Sequence, residues 1–220
     1  MRTAPHSLRR NRAFTRLELF VVISIVAVLL SMLLPALFKA KAKSSRINCA
    51  SNLKLIALSF KMFAGDNDGC YPAHTPAGKI FLAPDEVWRH FYMLSNEMGS
   101  ARILMCPKDD IRASTMAYSF GTESNGLYTL KDRAVSYFVN VDANETNASM
   151  VLIGDRNLLI AGQSPASTSL TLPGNTMLQW NRDLHGLRGN VALADGSVFS
   201  QIPSIQIWTN HSTPVRLAIP

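Results

Sequence analysis

The chain has 220 residues, of which 47% are hydrophobic and 17% charged, so it is too apolar for a disordered protein and too mixed for one with several membrane spans. The formal net charge is +7, but four arginines lie in the first thirteen residues, and the remainder carries 18 basic and 15 acidic residues. This near balance argues against a nucleic acid as the primary partner. Three cysteines are too few for a dense disulfide framework.

The first long element is the apolar segment from Leu19 to Phe38, which contains no charged residue. Its twenty residues are enough to cross the hydrocarbon core of a bilayer, and fourteen of them are Leu, Ile, Val or Phe. A buried core helix or the apolar part of a cleaved secretory signal are the alternatives. The segment exceeds the usual length of a signal-peptide core, and no clear cleavage site follows it. We therefore expect a membrane helix over about residues 19–38.

The residues that lead into this segment, Ala13 to Ile23, read AFTRLELFVVI. They resemble the prepilin cleavage and methylation motif, which is commonly GFTLIELLVVI, and the resemblance continues to about residue 72. It implies that a prepilin peptidase cuts between Ala13 and Phe14 and that the new Phe14 amine is methylated. It also implies that Glu18 pairs with the N-terminal amine of an identical or homologous pilin subunit. Ala13 and Arg16 depart from the motif, which has a glycine and an aliphatic residue there, and an ordinary signal anchor is the alternative.

The resemblance divides the chain into a prepilin leader (1–13), an N-terminal helix (14–64) and a globular extracytoplasmic β-rich domain (65–220). It implies a single-pass protein of the inner (cytoplasmic) membrane with a cytoplasmic N-terminus. The charges that flank the span are nearly equal in number, so the positive-inside rule alone barely fixes this orientation. Pro35 lies within the helical pattern and is expected to kink or locally melt the helix.

Beyond the membrane segment the helical pattern continues to Gly65, which suits the position after a helix C-terminus. Five apolar residues recur at helical spacing and predict a buried face: Cys49, Leu53, Ile56, Phe60 and Phe63. Three more widen the apolar arc: Leu55, Leu58 and Met62. Such a helix needs two apolar contacts, one with its own globular domain and one with neighbouring subunits, although a plain core helix shows a wide arc too.

The rest of the chain shows mainly strand signals, which together with the helix predict an α+β, pilin-like fold with an antiparallel sheet. Short apolar or alternating runs lie at 116–120, 135–139 and 150–153. The clearest signal is Asp195-Gly196 between two alternating runs, which predicts a hairpin with a type I′ turn. The segment from Ala161 to Asn175 is rich in Ser, Thr, Pro and Gly and is predicted to be a loop.

His185 and Asp195-Gly196 form an H-x9-DG pattern that resembles a C-terminal signature of many pilin-like bacterial proteins. Asp183 and His185 alternate along the chain and, with Asp195 or Asp155, form a candidate metal site. By resemblance to major pseudopilins the metal would be calcium. The alternative is a structural histidine beside a hairpin turn, with no cofactor.

Cys70 and Cys106 lie outside the membrane in this interpretation, where disulfides persist, so we predict that they pair. Cys49 lies on the apolar helix face and is predicted to be a buried free thiol.

The function predicted first is structural: a subunit of a type IV pilus-like filament or of a type II secretion pseudopilus, with likeness to the G-type major pseudopilins. A second candidate is a minor pilin-like surface module that binds a surface, DNA or a carbohydrate. A membrane-anchored enzyme that uses His185 and aspartates is the third, but the sequence contains no nucleophile-elbow, P-loop or dinucleotide motif.

Overall fold

A computed structural model describes residues 15–82, 86–174, 176–207 and 214–220. The chain divides into two compact units, Met1–Lys43 and Ser44–Pro220. The described part of the first unit is helical, and the second unit contains all of the described strands.

The longest element is helix α1, Arg16–Asp66, which spans 51 residues and contributes to both units. The helix runs without a break through Pro35, so this residue does not melt it, and a kink there stays a prediction. Gly65 was expected to follow the helix, but it lies inside the last turn. Just after the helix, Asp68 (φ 53°) and Gly69 (φ 75°) adopt the left-handed conformation. The Gly69 N–H donates to the Ala64 carbonyl at 2.8 Å, which ends the helix in a tight turn.

The predicted buried face of α1 is confirmed. Cys49, Leu53 and Ile56 are fully buried, and Phe60 and Phe63 are nearly so. Phe60 packs edge-on against Tyr71 and Phe91, with ring centroids 5.5 and 6.4 Å apart. The helix face from Cys49 to Phe63 is thus part of the core of the second unit.

Short helices follow α1 and cover part of the sheet. They are α2 (Pro76–Phe81), α3 (Val87–Met93), α4 (Leu127–Leu130) and four 3-10 turns, Pro72–His74, Ala101–Leu104, Ala113–Thr115 and Lys131–Ala134. Thr75 begins α2, where its hydroxyl accepts a hydrogen bond from the Gly78 N–H at 2.9 Å.

The described strands form two antiparallel sheets, which confirms the predicted α+β fold class. The strands are β1 (Tyr137–Asn140), β2 (Val151–Asp155), β3 (Leu158–Ile160), β4 (Ser169–Leu172), β5 (Met177–Trp180), β6 (Gly189–Leu193), β7 (Val198–Ile202), β8 (Ser204–Gln206) and β9 (Val215–Ala218). The larger sheet has the order β4-β9-β1-β2-β6-β7 and the smaller one the order β3-β5-β8.

Two of the predicted segments were wrong. Residues 116–120 form no strand, because Ser119 makes only an isolated bridge to Gly126. Conversely, β4 lies inside the segment predicted as a loop, where it pairs with β9 from Ser169–Ala218 to Leu172–Val215. Its polar neighbours hid the short Ser-Leu-Thr-Leu alternation, which is typical of an edge strand with one exposed face.

The Asp195-Gly196 hairpin is confirmed, but its turn is not type I′. Gly196 has φ 83°, whereas Asp195 is not among the described residues with positive φ. The Gly196 N–H donates to the Leu193 carbonyl, and the Leu193 N–H donates to the Ser197 carbonyl, both at 2.9 Å. This pattern is a three-residue loop with glycine in the left-handed position.

The imidazole of His90 is buried within α3, and its Nε2 atom has no hydrogen-bond partner among the described residues. Burial alone lowers the pKa of His90 from 6.5 to about 4. The unfolded chain therefore binds this proton below pH 6.5, while the folded chain does not bind it until about pH 4.

We expect His90 to remove about 3 kcal/mol of stability as the pH falls from 6.5 to 4. A His90→Gln variant should lack this part of the pH dependence, although it loses some stability at every pH. Denaturant unfolding of both proteins in detergent at several pH values measures the difference. Parallel stability-versus-pH curves for the two proteins would contradict the expectation.

Candidate functional site

The N-terminus of α1 is closed by a reciprocal pair of residues, Thr15 and Glu18. The Thr15 N–H and hydroxyl donate to Glu18 Oε2 at 2.8 and 2.9 Å. The Glu18 N–H donates back to the Thr15 hydroxyl at 3.2 Å. This is a capping box, in which a threonine and a glutamate three residues later satisfy each other's backbone donors. The Thr-x-x-Glu spacing could have revealed it in the sequence.

The capping box leaves part of the Glu18 carboxylate available. Both bonds from Thr15 end on Oε2, and Oε1 accepts no hydrogen bond from the described residues. Arg16 forms no ion pair with Glu18, so among the described residues Thr15 and not Arg16 is the hydrogen-bond partner of the Glu18 carboxylate. Ala13 and Phe14, between which cleavage is predicted, lie outside the described residues.

The apolar segment that follows is exposed throughout. Helix α1 is the one described helix that is long and apolar enough to cross a membrane, and none of its most apolar window is buried within the protein. Leu19 to Phe38 are all exposed. An uncovered apolar surface of this size needs a lipid or protein environment.

A second apolar surface lies on α1 within the second unit, and we call it the helix flank: Leu55, Leu58 and Met62. These side chains are 47–50% exposed. They border a shallow groove of about 300 Å³ whose other wall includes Met98 and Ile103. One side of the apolar arc predicted from the sequence is therefore buried in the core, and the other side, the helix flank, is exposed.

His185, the first residue of the H-x9-DG pattern, is buried in the loop before β6. Its Nε2 atom lies 3.5 Å from Cys106 Sγ and 3.6 Å from Asp155 Oδ2. Asp155 Oδ2 also accepts from the N–H and the side-chain amide of Asn190 at 2.8 and 2.9 Å. Burial lowers the pKa of His185 to about 4 and raises that of Asp155 to about 7. We call Asp155, His185 and Asn190 the buried polar cluster.

The glycines near His185 serve the local packing. Gly186 has φ 65°, which glycine adopts readily. Gly189 lies against Trp180, so that a Cβ there would stand 2.1 Å from the indole ring. In the segment 184–190, the backbone conformation at Gly186 and the packing at Gly189 thus explain why glycines occupy these two positions.

The Asp195-Gly196 turn, at the other end of β6, contacts α1. Lys54 Nζ donates to the Gly196 carbonyl at 2.5 Å, and Lys61 Nζ donates to the Asp195 carbonyl at 3.3 Å. Tyr71 adds a hydrogen bond to the neighbouring Ala194 carbonyl at 2.9 Å. The seven-residue spacing of the two lysines places them on one helix face, a signal that the sequence offered.

Asp183, His185 and Asp195, which the sequence analysis combined in a candidate metal site, do not lie together in the structure. His185 precedes β6 and Asp195 follows it, so about 16 Å of extended strand separates them. Asp183 is hydrogen-bonded with Asn181, and Asp195 accepts from the Ser197 N–H at 2.7 Å. Of the alternatives, Asp155 is the aspartate that lies beside His185.

The predicted Cys70–Cys106 disulfide was wrong. Cys106 is bonded to Cys49, with Cα atoms 5.1 Å apart, and Cys70 is a free cysteine. Cys49 lies on the buried face of α1, which packs against the segment that carries Cys106, whereas Cys70 follows the end of the helix. The apolar position that suggested a buried thiol is in fact what brings Cys49 to its partner.

Among known proteins, the chain is similar to the type IV major pilin protein PilA of Myxococcus xanthus (strain DK1622). The two are 30% identical over 94 residues, which is 43% of this chain and 41% of the relative. The chain therefore matches less than half the length of this curated relative. No family model and no solved structure matches it. The similarity agrees with the observed fold, a long apolar N-terminal helix followed by an antiparallel sheet, which is the α+β organisation of a pilin-like protein.

Proposed function

We propose that this protein is a structural subunit of a type IV pilus-like filament or a type II secretion pseudopilus, and that it has no catalytic role. The observation that carries the proposal is the capping box at the start of α1, directly before the exposed apolar segment from Leu19 to Phe38. Among the described residues, it leaves Glu18 Oε1 without a hydrogen-bond donor, close in sequence to the predicted cleavage point. The similarity to a type IV major pilin supports the same function.

Assembly follows from the electrostatics of this helix end. In hydrocarbon, an ammonium group and a carboxylate are each costly alone and relieve each other's desolvation when paired. We propose that Glu18 Oε1 accepts the Phe14 ammonium of a neighbouring subunit while Oε2 keeps its bonds to Thr15. The helix flank would then pack against neighbouring subunits, which covers its half-exposed leucines and methionine.

The proposed location is the inner membrane, with the N-terminus in the cytoplasm and the second unit outside it. The Cys49–Cys106 disulfide supports this orientation, because structural disulfides persist in oxidising compartments and are rare in the cytosol.

The test of the proposal is the isolation of filaments. Cells that express the chain are sheared, and antibodies against the globular domain are used to compare the sheared fraction with the membrane fraction. We expect the protein in sheared filaments and, by immunogold labelling, along their length. A protein found only as membrane-bound monomers, in cells whose peptidase processes it, would refute the filament function.

The mature chain should begin at Phe14 and carry one methyl group on its amine. The small Ala13 side chain preserves the small residue before the cut that the motif requires. Intact mass spectrometry of the membrane-extracted protein should show the loss of thirteen residues and the gain of one methyl. A chain that keeps its first thirteen residues in cells with an active peptidase would contradict the prediction.

A surface-binding minor pilin is a second candidate, favoured by a cavity of about 330 Å³ on the second unit. The cationic side chains of Lys79 and Arg216 line part of it, together with the imidazoles of His74 and His90. A Lys79→Ala variant that assembles normally but no longer adheres to anionic surfaces would support this function. Unchanged adhesion would argue against it.

A further inference from the structure

The buried polar cluster lies directly beside the Cys49–Cys106 disulfide, and together they present four groups that bind transition metals. The Cys49, Cys106 and His185 ligand atoms all lie within 4.8 Å of one another. Asp155 Oδ2 lies 3.6 Å from His185 Nε2. All four residues are at most 2% exposed. Two thiols, an imidazole and a carboxylate are ligands typical of zinc sites.

The two distances measured from His185 Nε2 fit the edges of a tetrahedral metal site. With Zn–S bonds of about 2.3 Å and Zn–N bonds of about 2.0 Å, the N-to-S edge of a tetrahedral site is about 3.5 Å. His185 Nε2 and Cys106 Sγ are 3.5 Å apart. The N-to-O edge would be about 3.3 Å, against 3.6 Å between His185 and Asp155. To form the site, the two sulfur atoms must separate from about 2 Å in the disulfide to about 3.8 Å, and the Asp155 carboxylate must move closer to them.

The cluster also lacks the partners that a finished buried network would have. Asp155 Oδ1 and His185 Nδ1 are buried and have no hydrogen-bond partner among the described residues. The two donors on Asp155 Oδ2 both come from Asn190 and are neutral. A buried carboxylate with only neutral donors is costly, and a divalent cation would compensate its charge.

We propose that the reduced protein binds one Zn²⁺ through Cys49, Cys106, His185 and Asp155, in competition with the disulfide. A dithiol reductant supplies two electrons and two protons to the disulfide and becomes a disulfide itself, leaving two thiols. Zinc then binds as the thiols lose their protons to solvent. Oxidation of the two thiolates by a disulfide oxidant re-forms the Cys49–Cys106 bond and releases the ion. This ligand set differs from the candidate of Asp183, His185 and Asp195.

The test uses the full chain in detergent, freed of metal, in its oxidised and dithiol-reduced forms. Co²⁺ serves as the spectroscopic probe and Zn²⁺ as the competitor. For the reduced form we expect one Co²⁺ per chain, a thiolate-to-cobalt charge-transfer band and the intense visible bands of a tetrahedral site. Zn²⁺ should displace the cobalt, since it binds such sites more tightly. The oxidised form should show no thiolate band.

Substitutions identify the ligands. Cys106→Ser should weaken the charge-transfer band, because only the Cys49 thiolate remains, and Asp155→Asn, which keeps an acceptor for Asn190, should weaken Zn²⁺ binding at least about 10-fold. Cys70→Ser and Asp183→Asn are the matched controls and should change the affinity less than about 2-fold. Circular dichroism of each variant separates loss of a ligand from loss of the fold.

Several results would overturn the proposal. The first is that the reduced protein stays folded but shows no thiolate-to-cobalt band when Co²⁺ is added. The second is that the oxidised form binds the metal as tightly as the reduced form. The third is that the reduced Cys106→Ser variant binds it as tightly as the reduced wild type. A reduced chain that unfolds and does not refold when Zn²⁺ is added would overturn it as well, because zinc bound only to the folded state must stabilise that state.

Discussion

Replacing Glu18 with glutamine should abolish filament assembly while membrane insertion and leader removal continue. Glutamine keeps a side-chain oxygen for the capping box with Thr15 but removes the charge that is proposed to pair with the Phe14 ammonium. Insertion should survive because the fourteen large apolar residues of the span outweigh one acid at its edge. The measurement is the ratio of sheared to membrane-bound protein, which should fall at least about 10-fold if the lost pairing costs 1.4 kcal/mol or more.

Two companion variants separate the charge from the cap. Glu18→Ala loses both, so it should also fail to assemble and should further lose about 1 kcal/mol of helix stability. Arg16→Leu should assemble normally, since Thr15 and not Arg16 is the partner of Glu18. Normal filament yield from Glu18→Gln would refute charge pairing as the basis of assembly.

Removing the Cys49–Cys106 disulfide should lower the free energy of unfolding by about 4 kcal/mol. The bond closes a segment with a sequence separation of 57 residues, and the cross-link restricts the unfolded chain by about this amount in the chain-entropy model. Denaturant unfolding of the wild type and of a Cys49→Ser, Cys106→Ser variant, both with a chelator present, measures the loss.

Cys70→Ser is the matched control and should change stability by less than about 0.5 kcal/mol, because Cys70 is half-buried and forms no disulfide. A loss of about 4 kcal/mol from Cys70→Ser alone would show that the pairing is Cys70–Cys106 after all. Non-reducing peptide mapping with rapid thiol blocking provides the same answer without unfolding.

Local patterns predicted the elements whose determinants are local. The helical spacing from Cys49 to Phe63 predicted the buried face, and Asp195-Gly196 predicted the hairpin. The end of α1 was misplaced because a glycine tolerates a helical position at modest cost. Strand β4 was missed because its existence depends on β9, about fifty residues later in the chain.

The candidate site was harder to predict than the fold elements, because its residues are brought together by contacts between distant parts of the chain. The compartment argument indicated that a disulfide exists, but the choice between Cys49 and Cys70 depends on which side of α1 meets Cys106. His185 was recognised from its pattern, and Asp155 was one of three aspartates considered as its metal-site partners, with Asp183 and Asp195. The sequence carried no local signal that Asp155 on β2 lies opposite the loop that carries His185, because β2 and β6 pair across about forty residues.

The disulfide also has a mechanical consequence. In the proposed filament, tension on a subunit would act through its N-terminal helix, and a pull on α1 from its N-terminal side would reach the Cys49–Cys106 disulfide before the helix residues that follow Cys49. The covalent bond then passes the load to Cys106, so the hydrogen bonds that Lys54 and Lys61 make with the hairpin are not peeled apart one after another. After reduction of the disulfide, these hydrogen bonds would bear the force instead and would break one after another from the N-terminal side of the helix.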